Sequence, residues 1–273
     1  MGIQDDVRER VERLELPWNR HGFDPYGTSK KQLQNVFTMW GAAYRHYFSV
    51  HTHGLKNVPT KGRVMLIGNH SGGVALDASM VLTSLILELD PPRLAHAMAE
   101  KFIGVLPFAS QGMTRGGQFP GVPEIAKRLL QEERMLLVFP EGSRGTAKLF
   151  RERYSLVDFG TGFMRLALET QTPIVPFAFL GGGEAIPTVY NAYKLGRLLG
   201  APYVPVTPYL LPVPLPVRMD IVYGEPLVFQ GNGTEEDEVV VAYVGRVKQR
   251  IAELTQEGLR MRGDLAAPRE KRT

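Results

Sequence analysis

The stretch Arg63-Val64-Met65-Leu66-Ile67-Gly68-Asn69-His70-Ser71-Gly72-Gly73-Val74-Ala75-Leu76-Asp77 decides the fold. Its first five residues are strand-like, and Ala78 to Leu89, which follow it, are apolar and helix-like. A strand, a glycine-containing turn and a helix in that order put His70 at the carboxyl end of a strand, where open α/β sheets place their ligands. An imidazole there titrates near neutral pH and can take a proton from an alcohol. Asp77 can hold the ring's other nitrogen and fix its tautomer, as the acid does in a serine-protease triad. Taken alone, such a pair more often marks a capped turn with a surface histidine. The rest of the chain reverses that.

Downstream, Asp90-Pro91-Pro92 makes a break, Leu94 to Ala99 reads as a short strand, and residues 100–110 as a short helix broken near Pro107. Gly112-Met113-Thr114-Arg115-Gly116-Gly117 reads as a loop with its arginine between flexible glycines, and Pro123 to Glu133 as an amphipathic helix. Met135 to Phe139 is an apolar run typical of a buried strand. It ends in Pro140-Glu141-Gly142-Ser143-Arg144-Gly145, a second polar loop at a strand's carboxyl end. A helix over 161–170 precedes a strand over Pro173 to Phe179, closed by Gly181-Gly182-Gly183. No Gly-Lys-Ser/Thr follows the triple glycine, so it is not a P-loop. From Ala201 to Val217 prolines exclude a regular helix or central strand, and the segment is expected to cover the site or touch lipid. Arg218 to Val222 resembles a last strand, followed by an amphipathic helix from about Glu235 to Arg260 and a charged tail.

Upstream, residues 5–16 form a charged helix stopped by Pro17, and Ser29-Lys30-Lys31-Gln32 has the form of a capping box. The helix it opens, to about Val50, carries Leu33, Val36, Phe37, Trp40, Tyr44, Tyr47 and Phe48 on one broad stripe with basic residues at its flanks. Such a stripe suits either the headgroup layer of a membrane or the α/β core. His51 and His53 follow without a further ligand cluster and read as loop residues, so no metal site is expected.

With 273 residues and 44% apolar content, the chain can bury a full core. A net charge of +4 suits an anionic membrane surface or phosphate-bearing substrates and is too small to argue for nucleic acid. The absence of cysteine excludes disulfides, thiolate metal sites and a cysteine nucleophile. No basic-then-apolar leader stands at the amino end, and no uninterrupted apolar run reaches the length of a spanning helix, so any membrane contact is expected to be peripheral.

Taken together, His70 and Asp77, Arg115, the loop Phe139 to Arg144 and the strand Pro173 to Pro176 make the chain resemble the lysophospholipid/glycerolipid acyltransferase superfamily, most of all its monoacylglycerol-acyltransferase-like branch. The resemblance spans roughly Leu55 to Leu227 in the family's order, and Phe-Pro-Glu-Gly-Ser-Arg is its most specific part. The common form of the family has a shorter spacer between its His and Asp. Here Ser71 to Leu76 intervene, and Gly72 and Gly73 can absorb the extra length.

The resemblance implies an α/β fold: a single glycerolipid-acyltransferase-type domain with a mixed, largely parallel sheet flanked by helices. Residues 1–54 would be an N-terminal amphipathic helical, membrane-surface segment, 55–260 the acyltransferase domain and 261–273 the charged tail. It implies that His70 is general base on an acceptor hydroxyl, oriented by Asp77, with Arg115, Glu141, Gly142 and Arg144 binding the acceptor. The donor would be an acyl thioester on coenzyme A or acyl carrier protein, the acceptor a lysolipid or other glycerolipid, with no cofactor and no nucleic acid. The protein would be cytoplasmic, on the inner face of a membrane. Two alternatives stay open at this point: a catalytically silent lipid-binding protein of the same fold, and an acyltransferase or esterase acting on a non-glycerol alcohol. Ser71 and Ser143 lie in no Gly-x-Ser-x-Gly elbow and read as turn residues.

Overall fold

The computed structural model describes residues 2–72, 76–99, 109–210 and 212–263. Two helices open the chain, α1 (Ile3–Glu12) and α2 (Lys30–Ala42), the second continued by a wide turn over Ala43–Tyr47. Strands β1 (His51–His53) and β2 (Val64–Gly68) follow, then α3 (Leu76–Leu87), β3 (Ala95–Ala99), α4 (Ala109–Arg115) and β4 (Phe119–Pro120). Next come α5 (Pro123–Gln131), β5 (Met135–Val138), α6 (Ser143–Thr146), α7 (Gly162–Glu169) and β6 (Ile174–Leu180). The last part holds α8 (Gly182–Ala185), β7 (Tyr190–Asn191), α9 (Tyr193–Leu198), β8 (Pro205–Val206), β9 (Asp220–Tyr223) and α10 (Asp237–Arg262).

The main sheet has seven strands in the order β1-β9-β6-β2-β5-β3-β4. β6, β2, β5, β3 and β4 are mutually parallel, while β9 runs antiparallel to β6 and carries β1 parallel to itself. The expected mixed, largely parallel sheet is therefore what forms. His51 and His53 lie in its edge strand rather than in a loop.

Both faces of the sheet are covered, which is why its central strands are continuously apolar. Val64 and Leu66 of β2 pack toward α1, α2 and α3, whereas Met65 and Ile67 pack toward α5, α7 and α10. The stripe on α2 and its continuation divides: Leu33, Phe37, Tyr44 and Phe48 are buried with Val7 and Val11 of α1 and Met80 of α3, Val36 and Trp40 are half-buried, and Tyr47 is exposed. The Ser29 hydroxyl accepts from the Gln32 amide at the start of α2, as the capping sequence implies.

Arg115 is the last residue of a helix, not the centre of a glycine loop. Gly112 is tolerated inside α4, and Gly116-Gly117 ends it. The helix expected over 100–110 lies outside the described residues up to 108. The start of the proline-rich segment supplies β8, which pairs with β7 from before it to make a two-stranded ribbon, α9 lying between them in sequence, with Pro205 on an edge strand as its missing donor requires.

Candidate active site

His70 stands two residues beyond β2 and Glu141 three beyond β5, and these strands are neighbours, so parallel pairing alone brings both loops to one end of the sheet. Asp77 comes to the same place in the first turn of α3, where the helix's positive end favours a carboxylate. His70 Nδ1 lies 2.6 Å from Asp77 Oδ2. Asp77 also accepts from the Ser71 amide at 2.9 Å and the Ala78 amide at 2.8 Å, and its side chain is fully buried. An acceptor held this firmly fixes the proton on Nδ1 and leaves the Nε2 lone pair for chemistry. Among the described residues Nε2 makes no hydrogen bond, and the His70 side chain is 12% exposed. The ring stacks on Phe139 at 4.2 Å and 15°, and Phe139 meets Phe177 edge-on, so the imidazole has an apolar backing.

Glu141 is buried, with both oxygens occupied. Oε1 accepts from the His70 amide at 2.9 Å, and Oε2 accepts from the Val157 amide at 3.0 Å and from Lys148 Nζ at 2.6 Å. Lys148 Nζ donates in turn to the His70 carbonyl at 3.0 Å. Burial pulls this ammonium below the ordinary lysine range, and the Glu141 carboxylate opposes that pull. Lys148 was not legible as a site residue, because nothing in a lysine seven positions after Glu141 signals burial. Its only trace in the sequence is that a buried glutamate needs a partner.

Two glycines make the junction possible. Gly142 has φ +56° and ψ −152°, a backbone region open essentially to glycine alone. A Cβ on Gly145 would lie 2.7 Å from the Cβ atoms of both Glu141 and His70, so only hydrogen fits there.

Arg144 is exposed on α6 beside this junction, and its Nη2 donates to the Asp158 carbonyl at 3.0 Å. Arg115 is exposed elsewhere, at the end of α4, where its carbonyl accepts from the Ser29 amide. The structure thus joins His70, Asp77, Glu141 and Gly142, places Arg144 on the rim, and gives Arg115 no hydrogen bond to any of them among the described residues. An apolar groove of about 370 Å³ runs between α2, α3 and α4, lined by Phe37, Trp40, Leu82 and Met113, with Ser79 of α3 one half-turn beyond Asp77. That volume lies within the usual range for small-molecule pockets.

The profile of the family described as Acyltransferase matches residues 49–180, a span that contains every residue of this cluster. An uncharacterized protein of Mycobacterium tuberculosis, Rv0502, is 32% identical over 250 residues, covering 87% of this chain and 67% of its own length. A chicken protein described as a DGAT1/2-independent enzyme synthesizing storage lipids is 24% identical over 222 residues, 80% of this chain and 63% of that protein. Among solved structures, the 1-acyl-sn-glycerophosphate (LPA) acyltransferase PlsC of Thermotoga maritima superposes with a TM-score of 0.55 at 17% identity, over 82% of this chain and 81% of that one.

Proposed function

The chain belongs to the Acyltransferase family, and from that premise we propose that it transfers a fatty acyl group from a thioester of coenzyme A or acyl carrier protein to a hydroxyl of a lysophospholipid or other glycerolipid. The single observation that carries the mechanism is the 2.6 Å pairing of His70 Nδ1 with a fully buried Asp77, which leaves Nε2 as the base. Nε2 takes the hydroxyl proton as the oxygen attacks the thioester carbonyl. The tetrahedral intermediate then collapses, the carbon–sulfur bond breaks, and the proton passes from the imidazolium to the departing thiolate. Asp77 stabilises the imidazolium between these steps, and no covalent enzyme intermediate is required.

The amides next to the ring are already engaged, that of His70 by Glu141 and that of Ser71 by Asp77. The oxyanion must therefore be met by other donors. Glu141 acts by bracing the His70 loop rather than by touching the acceptor, since both its oxygens are taken. Arg144, exposed on the rim, suits an acceptor phosphate. The α2–α3–α4 groove gives an acyl chain an apolar path along the helix that carries Asp77. Acyl transfer to a glycerolipid also agrees with the storage-lipid synthesis ascribed to the chicken relative and with the acceptor in the name of the Thermotoga protein.

The test is a mass-spectrometric screen of the purified protein with acyl-CoA and a panel of lysolipids, monoacylglycerol and diacylglycerol. One acceptor should gain an acyl chain, and His70→Ala should lower turnover at least about a hundredfold. Fatty acid released without any acceptor would mean a hydrolase. Lipid binding with no turnover, unchanged by His70→Ala, would mean a silent binding protein.

A further inference from the structure

We propose that the chain between β6 and β9 forms a docking surface for an anionic lipid bilayer, tied by hydrogen bonds to the segment that follows Glu141. This goes beyond the acyl-transfer reading, because it concerns binding and stands without turnover. The first observation is apolar exposure. Tyr193, Leu195, Leu198 and Leu199, on α9 and at its end, are 54%, 45%, 82% and 59% exposed, and Leu210 and Val213 of the following strap are 76% and 56% exposed. Apolar side chains this open and this concentrated mark an interaction site rather than ordinary surface. Gly196, the one buried position of α9, presses so closely on the backbone of Tyr203 that a Cβ would lie 2.4 Å from its Cα. The helix is thereby held by that face against the chain leading into β8, with its large residues outward.

The second observation is charge. No Asp or Glu occurs between Glu184 and Asp220, whereas Lys194 and Arg197 stand exposed among the leucines of α9. Apolar side chains interspersed with basic ones and free of acids complement an anionic headgroup layer. A second copy of the chain fits worse, since a twofold interface across this patch would bring together two surfaces that carry Lys194 and Arg197 and no acid between Glu184 and Asp220.

The third observation is position. Tyr203 Oη donates to Thr146 Oγ1 at 2.5 Å, Asn191 Nδ2 donates to the Ala147 carbonyl at 2.5 Å, and the Phe150 amide donates to the Thr188 carbonyl at 2.8 Å. These bonds tie the surface to the segment that carries Lys148 and follows Glu141.

The experiment is cosedimentation of the full chain with vesicles of phosphatidylcholine alone and of phosphatidylcholine mixed with phosphatidylglycerol, with thermal melts of every variant. The wild type should favour the anionic vesicles. L198Q/L199Q should lower partitioning at least about tenfold, and K194Q/R197Q should bind the two compositions alike. Both variants should melt as the wild type does and turn over a soluble short-chain thioester unchanged. Wild-type protein without preference for anionic vesicles, variants that sediment like the wild type, or a wild-type dimer in the ultracentrifuge that L198Q/L199Q dissolves would each overturn the proposal. Vesicle binding without turnover in any acceptor screen would sink the acyl-transfer reading and leave the surface standing; turnover without vesicle binding would do the reverse.

Discussion

His70 and His96 lie at opposite ends of the same sheet, His70 beyond the carboxyl end of β2 and His96 near the amino end of β3, and each has a buried acid and a buried cation for company. Around His96 these are Asp24 and Arg134, joined to each other at 2.6 Å. His96 Nδ1 donates to the Gly117 carbonyl at 2.7 Å, and its Nε2 faces Arg134 Nη1 at 3.4 Å. The ring is fully buried. Around His70, Asp77 takes one nitrogen and the Glu141–Lys148 pair takes only backbone groups of the same residue. A histidine with both nitrogens committed can only hold a structure together. One with a lone pair left over, braced from behind and open in front, can do work on a substrate.

The largest break in that contrast should come from Asp77→Asn, which keeps the shape but no longer enforces a proton on Nδ1. Turnover should fall about a thousand- to ten-thousandfold, measured by acyl transfer at saturating donor. Removing the cation from each cluster comes next. Lys148→Met and Arg134→Met each leave a buried carboxylate uncompensated and should each cost roughly 3–5 kcal/mol in urea unfolding. Only Lys148→Met should also depress turnover, because only that ammonium holds the His70 carbonyl. Equal turnover in the two variants would mean that the brace is merely structural.

The smallest effect should be one of pH. Burial holds the His96 imidazole down at about 4, below its ordinary 6.5. The unfolded chain therefore takes up a proton near pH 6.5 that the folded chain refuses until about pH 4. This contribution to stability is complete above the upper value and is lost as pH falls toward the lower one, by up to roughly 3 kcal/mol. Urea stabilities of the wild type and His96→Gln should diverge by that amount in total between the two ends of this window.

The sheet and the His70–Asp77 pairing were legible because they rest on local order: an apolar run, a turn and a helix start determine where both side chains must go. Phe139 to Arg144 was legible for the same reason, being another loop at a strand's end. Lys148 was not, because its burial depends on Glu141, Val157 and His70 meeting across three separate segments. The direction of the α2 stripe was undecided until α1 and α3 were in place, since amphipathicity says that a face is buried and not against what. Arg115 misled through its glycines, which suggest a loop but sit in or just after a helix. In the proline-rich stretch, prolines rightly excluded a central strand yet could not announce that Pro205 and Val206 pair with Tyr190 and Asn191 in a small ribbon.

The missing side chain at Gly145 bears on how this enzyme can diversify. With no clearance between the two loops, a larger residue at that point would have to push the imidazole and the glutamate apart. Selection for new acceptors or other chain lengths therefore has little room behind His70 and must act on the rim and on the excursion outside it. One unchanging junction of His70, Asp77 and Glu141 can then serve a lineage of specificities, each written in surface residues that cost the core nothing.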